Sequence, residues 1–268
     1  MPILVTRELA LLLEATEVAA SEAAIGAIKD SAPLSGATSF PAAGGRALFF
    51  GAGSPLSQAL SLGLRGPVAR AGLDELEAFF SARSAPVVIS LCPYADPSLM
   101  AVLARRSYRI THFENTLARE LRAEDWVTMP SGVRPATPLD AVHWSKMVTE
   151  GFSDTGESDP ATAELFQCLF AAGGATPYYA YSEGEPGGGG VVGIWGGAAM
   201  LYGDSTLTRF RGRGLQSALI RARLRKALDA GCGWAFACTM PGSISQRNYE
   251  RAGFQVAYTK TMLVKDWT

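Results

Sequence analysis

The sequence predicts an α/β protein made of two halves whose strands and helices follow the same order. Short apolar runs rich in β-branched and aromatic residues alternate with longer stretches in which apolar residues recur at helical spacing. The chain has 268 residues, of which 48% are hydrophobic and 18% are charged, so it can bury a substantial core. This length suits one large domain or two of modest size.

The first half begins with a long helix, because Ala, Leu and Glu dominate residues 5–29. Residues 31–45 are rich in Pro, Gly and Ser and predict a loop, and Gly51 to Pro55 predicts a break after the strand at 47–50. A β-branched run at 86–91 predicts a buried strand, and Pro97 suits the first turn of a helix. The predicted elements are helices over 5–29, 73–82 and 97–106 and strands over 47–50, 86–91 and within 108–121.

In the second half, Glu183 to Gly187 predicts a turn that is followed by three glycines at 188–190. These glycines are expected to serve a hairpin rather than a phosphate, because the run enters a strand and not a helix. The predicted elements are strands over 127–135, 178–182, 191–195, 198–207, 234–238 and 253–264 and helices over 139–152, 161–172, 215–229 and 243–251.

The order of elements over 47–121 matches the order over 198–264. Each series runs strand, loop, helix, strand, helix and strand, and this repetition predicts an ancient duplication. A chance similarity between two α/β segments is the alternative. In the first series, the loop that corresponds to 207–214 is 53–60.

The turn between the strand at 198–207 and the helix at 215–229 predicts an anion site. Gly212 and Gly214 allow a sharp bend that brings backbone N–H groups close to a ligand, and the following helix directs its positive end to the same point. The segment is also basic, with no acidic residue between Asp204 and Asp229. For the helix arginines, a solvated basic face is the alternative to phosphate binding. The basic residues are Arg209, Arg211, Arg213, Arg221, Arg223, Arg225 and Lys226.

Composition excludes several classes of protein. A net charge of -1 and a pI near 6.2 do not indicate a nucleic-acid-binding surface. The four cysteines are scattered and there are two histidines, so no metal site is expected. The N-terminus carries acidic residues and no small-residue cleavage site, and no window is apolar enough to span a membrane. A cytoplasmic protein without a membrane partner is therefore expected.

Two blocks of the second half resemble the Gcn5-related N-acetyltransferase (GNAT) superfamily. Arg211-Gly212-Arg213-Gly214-Leu215-Gln216 resembles the acetyl-coenzyme A signature Arg/Gln-x-x-Gly-x-Gly/Ala, with Gln216 in place of a small residue. Residues 245–254 resemble the terminal helix with its Tyr-Glu-Arg/Lys-x-Gly-Phe exit. The resemblance implies two GNAT-like halves, each a mixed, mostly antiparallel central sheet flanked by helices, of which only the C-terminal half is complete.

The same resemblance implies a binding site for acetyl-coenzyme A (acetyl-CoA). Backbone N–H groups around 212–217 would hold the pyrophosphate, and the main chain of the preceding strand end would bind the pantetheine arm and thioester. The family's asparagine seven positions before the terminal-helix tyrosine is replaced by Gly242, so Ser243, Ser245 or Asn248 is expected to take over its contact. The implied cofactor-binding residues are Ser205, Thr206, Leu207, Arg211, Gly212, Arg213, Gly214, Leu215, Gln216, Ser217, Ser245 and Asn248.

For catalysis, the resemblance implies that Tyr249 is the general acid that protonates the departing thiolate. A partly buried structural tyrosine is the alternative. Met200 stands where some members carry a glutamate base, so Asp204 is a weak candidate for the base, with a strand-end cap as its alternative. An acidic stretch that borders the acceptor site in related enzymes would favour a cationic amine. It consists of Glu150, Asp154, Glu157 and Asp159.

The resulting prediction has two domains, a degenerate GNAT-like N-terminal domain at 1–122 and a GNAT acetyltransferase domain at 123–268. The N-terminal domain is expected to bind no coenzyme, because its loop at 53–60 lacks the glycine pattern and Pro55 removes an N–H donor. The predicted activity is acetyl-CoA-dependent N-acetylation of a primary amine, in a small molecule or a peptide, by a monomer or homodimer. An inactive acyl-CoA-binding sensor or scaffold and a binder of another phosphorylated ligand are the alternatives.

Overall fold

The computed structural model describes residues 3–51, 53–122, 124–125, 128–153 and 156–267, and these residues form two compact units. The N-terminal unit consists of Leu4–Thr116, Thr239–Pro241 and Val256–Thr268. The C-terminal unit consists chiefly of Leu117–Cys238 and Gly242–Gln255. The last strand of the chain thus belongs almost entirely to the N-terminal unit. The domain division at residue 122 stays a prediction.

Among its described residues, the N-terminal unit contains three α-helices and a mixed sheet in the order β1-β2-β3-β4-β11-β5. Strands β3 and β4 run parallel, whereas β1–β2, β2–β3 and β4–β11 are antiparallel. The elements are α1 (Arg7–Ser31), β1 (Thr38–Ala42), β2 (Gly45–Phe49), β3 (Gln58–Leu60), α2 (Arg70–Ser81), β4 (Val87–Leu91), α3 (Pro97–Leu103), the first part of β5 (Arg109–Glu120) and β11 (Gln255–Lys265).

Local signals explain where the helices of this unit begin. The hydroxyl of Thr6 accepts a hydrogen bond from the backbone N–H of Leu9 and caps α1. Asp96 caps α3, and Pro97 occupies the first helical position, where its missing N–H needs no partner. The predicted helices over 5–29, 73–82 and 97–106 are confirmed to within a few residues.

Two of the predicted loops of this half contain strands, so both predictions were wrong. Residues 31–45 include β1, which is the first strand in the sheet order and tolerates Pro41 for that reason. Residues 53–60 include β3, which is too short to show a period of two but pairs with both β2 and β4. The N-terminal unit therefore also contains a parallel strand pair, β3–β4. In the segment after β3, 61–69, Pro67 has no N–H and the Val68 N–H donates to Ser98 Oγ at 2.7 Å.

A buried ionic cluster links α1 to β11 within the N-terminal unit. The ammonium group of Lys260 is fully buried and lies 3.1 Å from the carboxylate of Glu14, and it also donates a hydrogen bond to Glu17. The hydroxyl of Tyr258 donates a hydrogen bond to Glu14 at 3.0 Å. Since unpaired charges are rarely buried, each member of the cluster depends on the others.

Glu114 faces this cluster and should make the N-terminal unit less stable as the pH rises. Burial, followed by repulsion from Glu17, raises the pKa of Glu114 to about 7, with Glu14 adding repulsion and Lys260 opposing it. The folded protein therefore holds a proton that the unfolded chain releases near pH 4.3, so stability falls between about pH 4.3 and 7. Thermal melts should give a larger loss of Tm from pH 5.5 to pH 8 in the wild type than in Glu114→Gln. An equal loss in both proteins would contradict this assignment.

The C-terminal unit is a mixed sheet in the order β5-β10-β9-β8-β7-β6 with helices on both faces. Strands β9 and β10 run parallel, and β6–β7, β7–β8 and β8–β9 are antiparallel. The elements after β5 are β6 (Val133–Pro135), α4 (Ala141–Phe152), α5 (Pro160–Ala171), β7 (Ala175–Ser182), β8 (Glu185–Trp195), β9 (Ala198–Thr206), α6 (Leu215–Asp229), β10 (Trp234–Thr239) and α7 (Ile244–Arg251). Residues 126 and 127, where the predicted strand 127–135 begins, lie outside the described residues.

The glycines at 188–190 lie inside β8 and allow two helices to approach the sheet closely. A Cβ on Gly189 would lie 2.6 Å from Val148 of α4, and one on Gly190 would lie 2.9 Å from the guanidinium of Arg223 on α6. The hairpin turn itself is formed by Glu183 and Gly184, both with positive φ. The glycines therefore belong to a hairpin, as predicted, but their role is packing of α4 and α6 on opposite faces of β8.

A membrane span would need a long apolar helix, and none occurs among the described residues. The fold class is confirmed as α/β, with a mixed and mostly antiparallel sheet flanked by helices.

Candidate functional site

Strands β9 and β10 separate partway along their length. Their parallel register ends at the pair formed by Met200 and Phe236, although β9 continues to Thr206. Beyond that point β9 pairs with β8 on its other side, where Ser205 faces Gly189 and Thr206 faces Gly188. In the part of the chain that the structure describes, the edge of β9 nearer β10 thus offers backbone groups that are available to a ligand.

We call the turn over 207–214, between β9 and α6, the anion turn. Together with the start of α6, it presents a row of backbone N–H groups without a protein acceptor. Gly212 and Gly214 both have φ of 79°, which a glycine adopts without strain. Gly214 is the N-cap of α6 and makes no side-chain cap, and the first helical bond runs from Ala218 N–H to its carbonyl at 3.0 Å. Over 212–217, all of which are described, no backbone N–H has a hydrogen-bond acceptor in the protein. Such a row at a helix N-terminus is suited to a phosphate group.

Neighbouring segments hold this turn in place. Phe210 is buried, and the guanidinium groups of Arg209 and Arg213 lie 4.9 and 5.4 Å from the centre of its ring. Arg211 donates to the carbonyl of Thr206 at 3.3 Å and to that of Gly151, at the end of α4, at 3.0 Å. The backbone of the turn is therefore fixed before any ligand binds.

The arginines of the turn also have acidic partners at the surface. Arg213 lies 2.6 Å from Glu183, and Arg209 lies 3.5 Å from Glu150. Both pairs are exposed, so each contributes little and can exchange its carboxylate for another anion.

Gln216 points towards α7 and joins two other predicted coenzyme-binding residues. Its amide nitrogen donates to Ser245 Oγ at 3.0 Å, and its amide oxygen accepts from Asn248 at 2.7 Å. Ser243, a further candidate for the pantetheine contact, caps α7 by accepting from the N–H of Gln246 at 3.1 Å. The side chain that replaces the family's small residue thus ties the start of α6 to α7.

The two predicted catalytic residues contact each other in the interior of the C-terminal unit. Tyr249 is 1% exposed, and its hydroxyl donates a hydrogen bond to Oδ2 of Asp204. The other oxygen of Asp204, Oδ1, accepts from Nη2 of Arg223, which is fully buried. Desolvation and the charge of Asp204 raise the pKa of Tyr249 well above 10, against an opposing effect of Arg223. We call these three residues the Arg223–Asp204–Tyr249 chain.

The burial of Arg223 was not predicted from the sequence, although the helical period contained the signal. Positions 215, 219, 223 and 227 are spaced by four residues, and the structure buries all of them. Arg223 therefore belongs to the buried stripe of α6 and is neither a solvated residue nor a surface ligand for phosphate. On the exposed side of the helix, Arg225 pairs with Asp229 at 2.8 Å.

The remaining predicted residues fall into two groups. Ser205, Leu207 and Leu215 are buried, and the hydroxyl of Ser205 donates to the carbonyl of Val148 at 2.7 Å. Thr206 and Ser217 are half-buried beside the turn.

Of the acidic stretch, Asp159 caps α5 by accepting from the N–H of Thr162 at 2.8 Å. Asp154 lies outside the described residues.

The C-terminal unit is thus an α/β domain with a separated parallel strand pair that leads into a glycine-containing turn at the start of α6. The Acetyltransferase (GNAT) family matches residues 141–254. This segment contains β9, the anion turn, α6, β10 and α7.

Solved structures share the fold at low sequence identity. A GCN5-related N-acetyltransferase from Kribbella flavida superposes with a TM-score of 0.62 at 20% identity, over 90% of this chain and 96% of that one. A tandem GNAT protein from the clavulanic acid biosynthesis pathway gives 0.58 at 15% identity, over 82% and 78%. A putative GNAT acetyltransferase from Novosphingobium aromaticivorans gives 0.53 at 16% identity, over 79% and 84%. No curated protein matches this chain.

Residues 141–254 therefore match the model of the GNAT acetyltransferase family, and the solved structures share the fold of this chain. Members of this family generally use acetyl-CoA.

Proposed function

We propose that the C-terminal unit binds acetyl-CoA and transfers its acetyl group to a primary amine. The observation that carries this proposal is the row of unpaired backbone N–H groups over 212–217, beside the open edge of β9. A pyrophosphate on this row would leave the pantetheine arm in line with the gap between β9 and β10. There its amide groups would meet the main chain of Ser205 and Thr206.

In the proposed reaction, the amine nitrogen attacks the thioester carbonyl carbon and the carbon–sulfur bond breaks. The attacking amine loses one proton to solvent water, and the departing thiolate gains one proton. Main-chain groups near Thr206 would polarise the carbonyl, and Tyr249 would supply the proton to sulfur by turning its hydroxyl away from Asp204. Holding both reactants in one cleft would provide much of the rate enhancement.

A second candidate is an acyl-CoA-binding domain without catalysis. One observation favours it, because the phenol of Tyr249 is buried, has a raised pKa and donates to Asp204. Such a group releases its proton reluctantly. Both candidates share the coenzyme site and differ only in turnover.

Ligand binding and turnover can be measured separately to test this proposal. We expect acetyl-CoA to raise the Tm of the full chain more than equal concentrations of ATP, ADP or inorganic pyrophosphate do. Thiol release from acetyl-CoA is then followed over a panel of small amines and amino-terminal peptides. Stabilisation without release would favour the non-catalytic candidate, and equal stabilisation by all nucleotides would favour another phosphorylated ligand. No stabilisation by acetyl-CoA would overturn the proposal.

Tyr249→Phe tests the proposed acid directly. Loss of a general acid lowers kcat by about 10²–10⁴-fold, whereas acetyl-CoA binding should remain, because the phenol does not belong to the N–H row. We expect this separation in kcat and in Kd from calorimetry. Unchanged turnover in Tyr249→Phe would remove the acid role.

A further inference from the structure

We propose that Arg223 is a positioning residue for the transfer reaction, which holds Asp204 and through it directs the hydroxyl of Tyr249 at the point where β9 separates from β10. This inference rests on the proposed acetyl transfer. It also gives Asp204 a role other than that of a base for the amine.

The guanidinium of Arg223 is bound on several sides by protein oxygens. Its Nε donates to the carbonyl of Leu219 at 3.0 Å, and its Nη1 donates to those of Val191 and Tyr202 at 3.1 and 3.4 Å. Nη2 donates to Asp204. One side chain of α6 thus contacts β8, β9 and the carboxylate of Asp204.

These contacts coincide with an irregularity in the sheet. The register between β8 and β9 shifts between Gly189 and Val191, and Val191 faces Tyr202 immediately after it. A bulge leaves ladder groups unpaired, and Arg223 binds the carbonyls of both residues of that pair. Gly190 makes room for this, because a Cβ there would lie 2.9 Å from the guanidinium. Arg223 of α6 therefore binds the backbone of β9, the strand that forms the open edge of the site.

The chemistry of arginine suits this arrangement better than that of lysine. A planar guanidinium offers several donors in fixed directions and stays charged when buried, whereas an ammonium is a point charge that is more strongly hydrated. Burying a cation is costly unless it is paired and hydrogen-bonded. Arg223 meets both conditions through its ion pair with Asp204 and its bonds to three backbone carbonyls, so the two residues form a unit.

Both oxygens of Asp204 are engaged, because one accepts a hydrogen bond from Arg223 and the other accepts one from Tyr249. The effect of Asp204 on the phenol is directional, because it fixes the hydroxyl of Tyr249 beside β9, beyond the point where β9 separates from β10. The positive charge of Arg223 favours the ionised phenol, so it would offset charge that develops on the oxygen of Tyr249.

The first part of the test needs neither coenzyme nor acceptor. Full-length protein is labelled with tyrosine carrying ¹³C at Cζ, and the Tyr249 resonance is assigned by its loss in Tyr249→Phe. In Asp204→Asn the anion is gone while Arg223 remains, so the pKa of Tyr249 should fall and the resonance should titrate at lower pH than in the wild type. Asp229→Asn is the matched control, because it removes the acidic partner of the exposed Arg225–Asp229 pair at the end of the same helix. It should leave the Tyr249 resonance unchanged. An unchanged titration in Asp204→Asn would overturn the inference.

The second part uses Arg223→Lys with acetyl-CoA and an amine that supports thiol release. A misdirected phenol should lower kcat on the order of tenfold to a hundredfold, while KM for acetyl-CoA stays near the wild-type value. A raised KM with unchanged kcat would assign Arg223 to coenzyme binding and overturn the proposal. If Arg223→Lys does not fold by circular dichroism, Asp204→Asn serves in the same assay, with an altered pH profile of kcat expected.

The two parts also separate this inference from the proposed function. If the wild type does not bind acetyl-CoA, acetyl transfer is refuted. The NMR titration still decides whether Arg223 and Asp204 control the phenol.

Discussion

Replacing Gly214 with aspartate is expected to weaken acetyl-CoA binding on the order of tenfold to a hundredfold relative to replacing it with asparagine. Gly214 has φ of 79°, a left-handed conformation that both Asn and Asp tolerate better than other residues. A Cβ there meets no other atom within 4 Å, so neither variant creates a clash. The two variants therefore differ mainly by one negative charge at the N-terminus of α6.

The charge should act on the phosphate by repulsion. Both Asn and Asp at the N-cap can accept hydrogen bonds from the first helical N–H groups, so competition with the pyrophosphate for these groups is common to the two variants. The carboxylate of Asp also repels the phosphate, and at an effective dielectric constant of 20 two unit charges 4 Å apart interact by about 4 kcal/mol. Solvent and salt reduce that figure to the predicted tenfold to hundredfold.

Calorimetry with acetyl-CoA measures the effect, and the salt dependence identifies its cause. The difference in Kd between Gly214→Asp and Gly214→Asn should shrink as the ionic strength rises, because exposed charges are screened. Equal Kd values for the two variants would mean that no anion binds at this turn. Tm values without ligand show whether either variant has lost stability.

The sequence was sufficient to predict elements with strong periodicity and clear ends. Helix α6 runs over Leu215–Asp229 as predicted, because the glycine turn marks its start and its apolar stripe is regular. The short strand β3 was missed, because three residues carry no period and its pairing with β2 and β4 is non-local. Residues 53–60 were therefore predicted as a loop, although β3 occupies Gln58–Leu60.

The candidate site was predictable as a set of backbone groups but not as a set of side-chain contacts. A row of free backbone N–H groups can be predicted from local sequence, because glycines followed by the start of a helix are typical of it. By contrast, the partner of Gln216 depends on how α6 meets α7, and the pairing of Asp204 with Arg223 depends on the bulge between β8 and β9. Sequence reasoning therefore found the position of Tyr249 in the chain, whereas the acceptor of its hydroxyl became visible only in the fold.

Lys260→Met is expected to destabilise the N-terminal unit by about 3–5 kcal/mol, the cost of leaving a buried charge without its partner. Lys260 and Glu14 are 0% and 1% exposed in their side chains, and Glu17 also binds the ammonium. Removing the cation leaves two buried carboxylates that repel each other. Burial already raises the pKa of Glu14, so at neutral pH the variant must either take up protons or open the contact between α1 and β11.

Because the chain has two compact units, the measurement should report on each unit separately. Hydrogen exchange followed by mass spectrometry should show faster exchange in peptides from α1 and β11 of Lys260→Met, with α6 and α7 much less affected. Lys29→Met, which changes an exposed lysine in the last turn of α1, is the matched control and should change stability by less than about 0.5 kcal/mol.

The triple variant Glu14→Gln, Glu17→Gln, Lys260→Met removes all three charges together. It should recover most of the loss, because the penalty arises from unpaired charge and not from the missing attraction. If the triple variant were as unstable as Lys260→Met, lost packing around the lysine stem would be the cause instead.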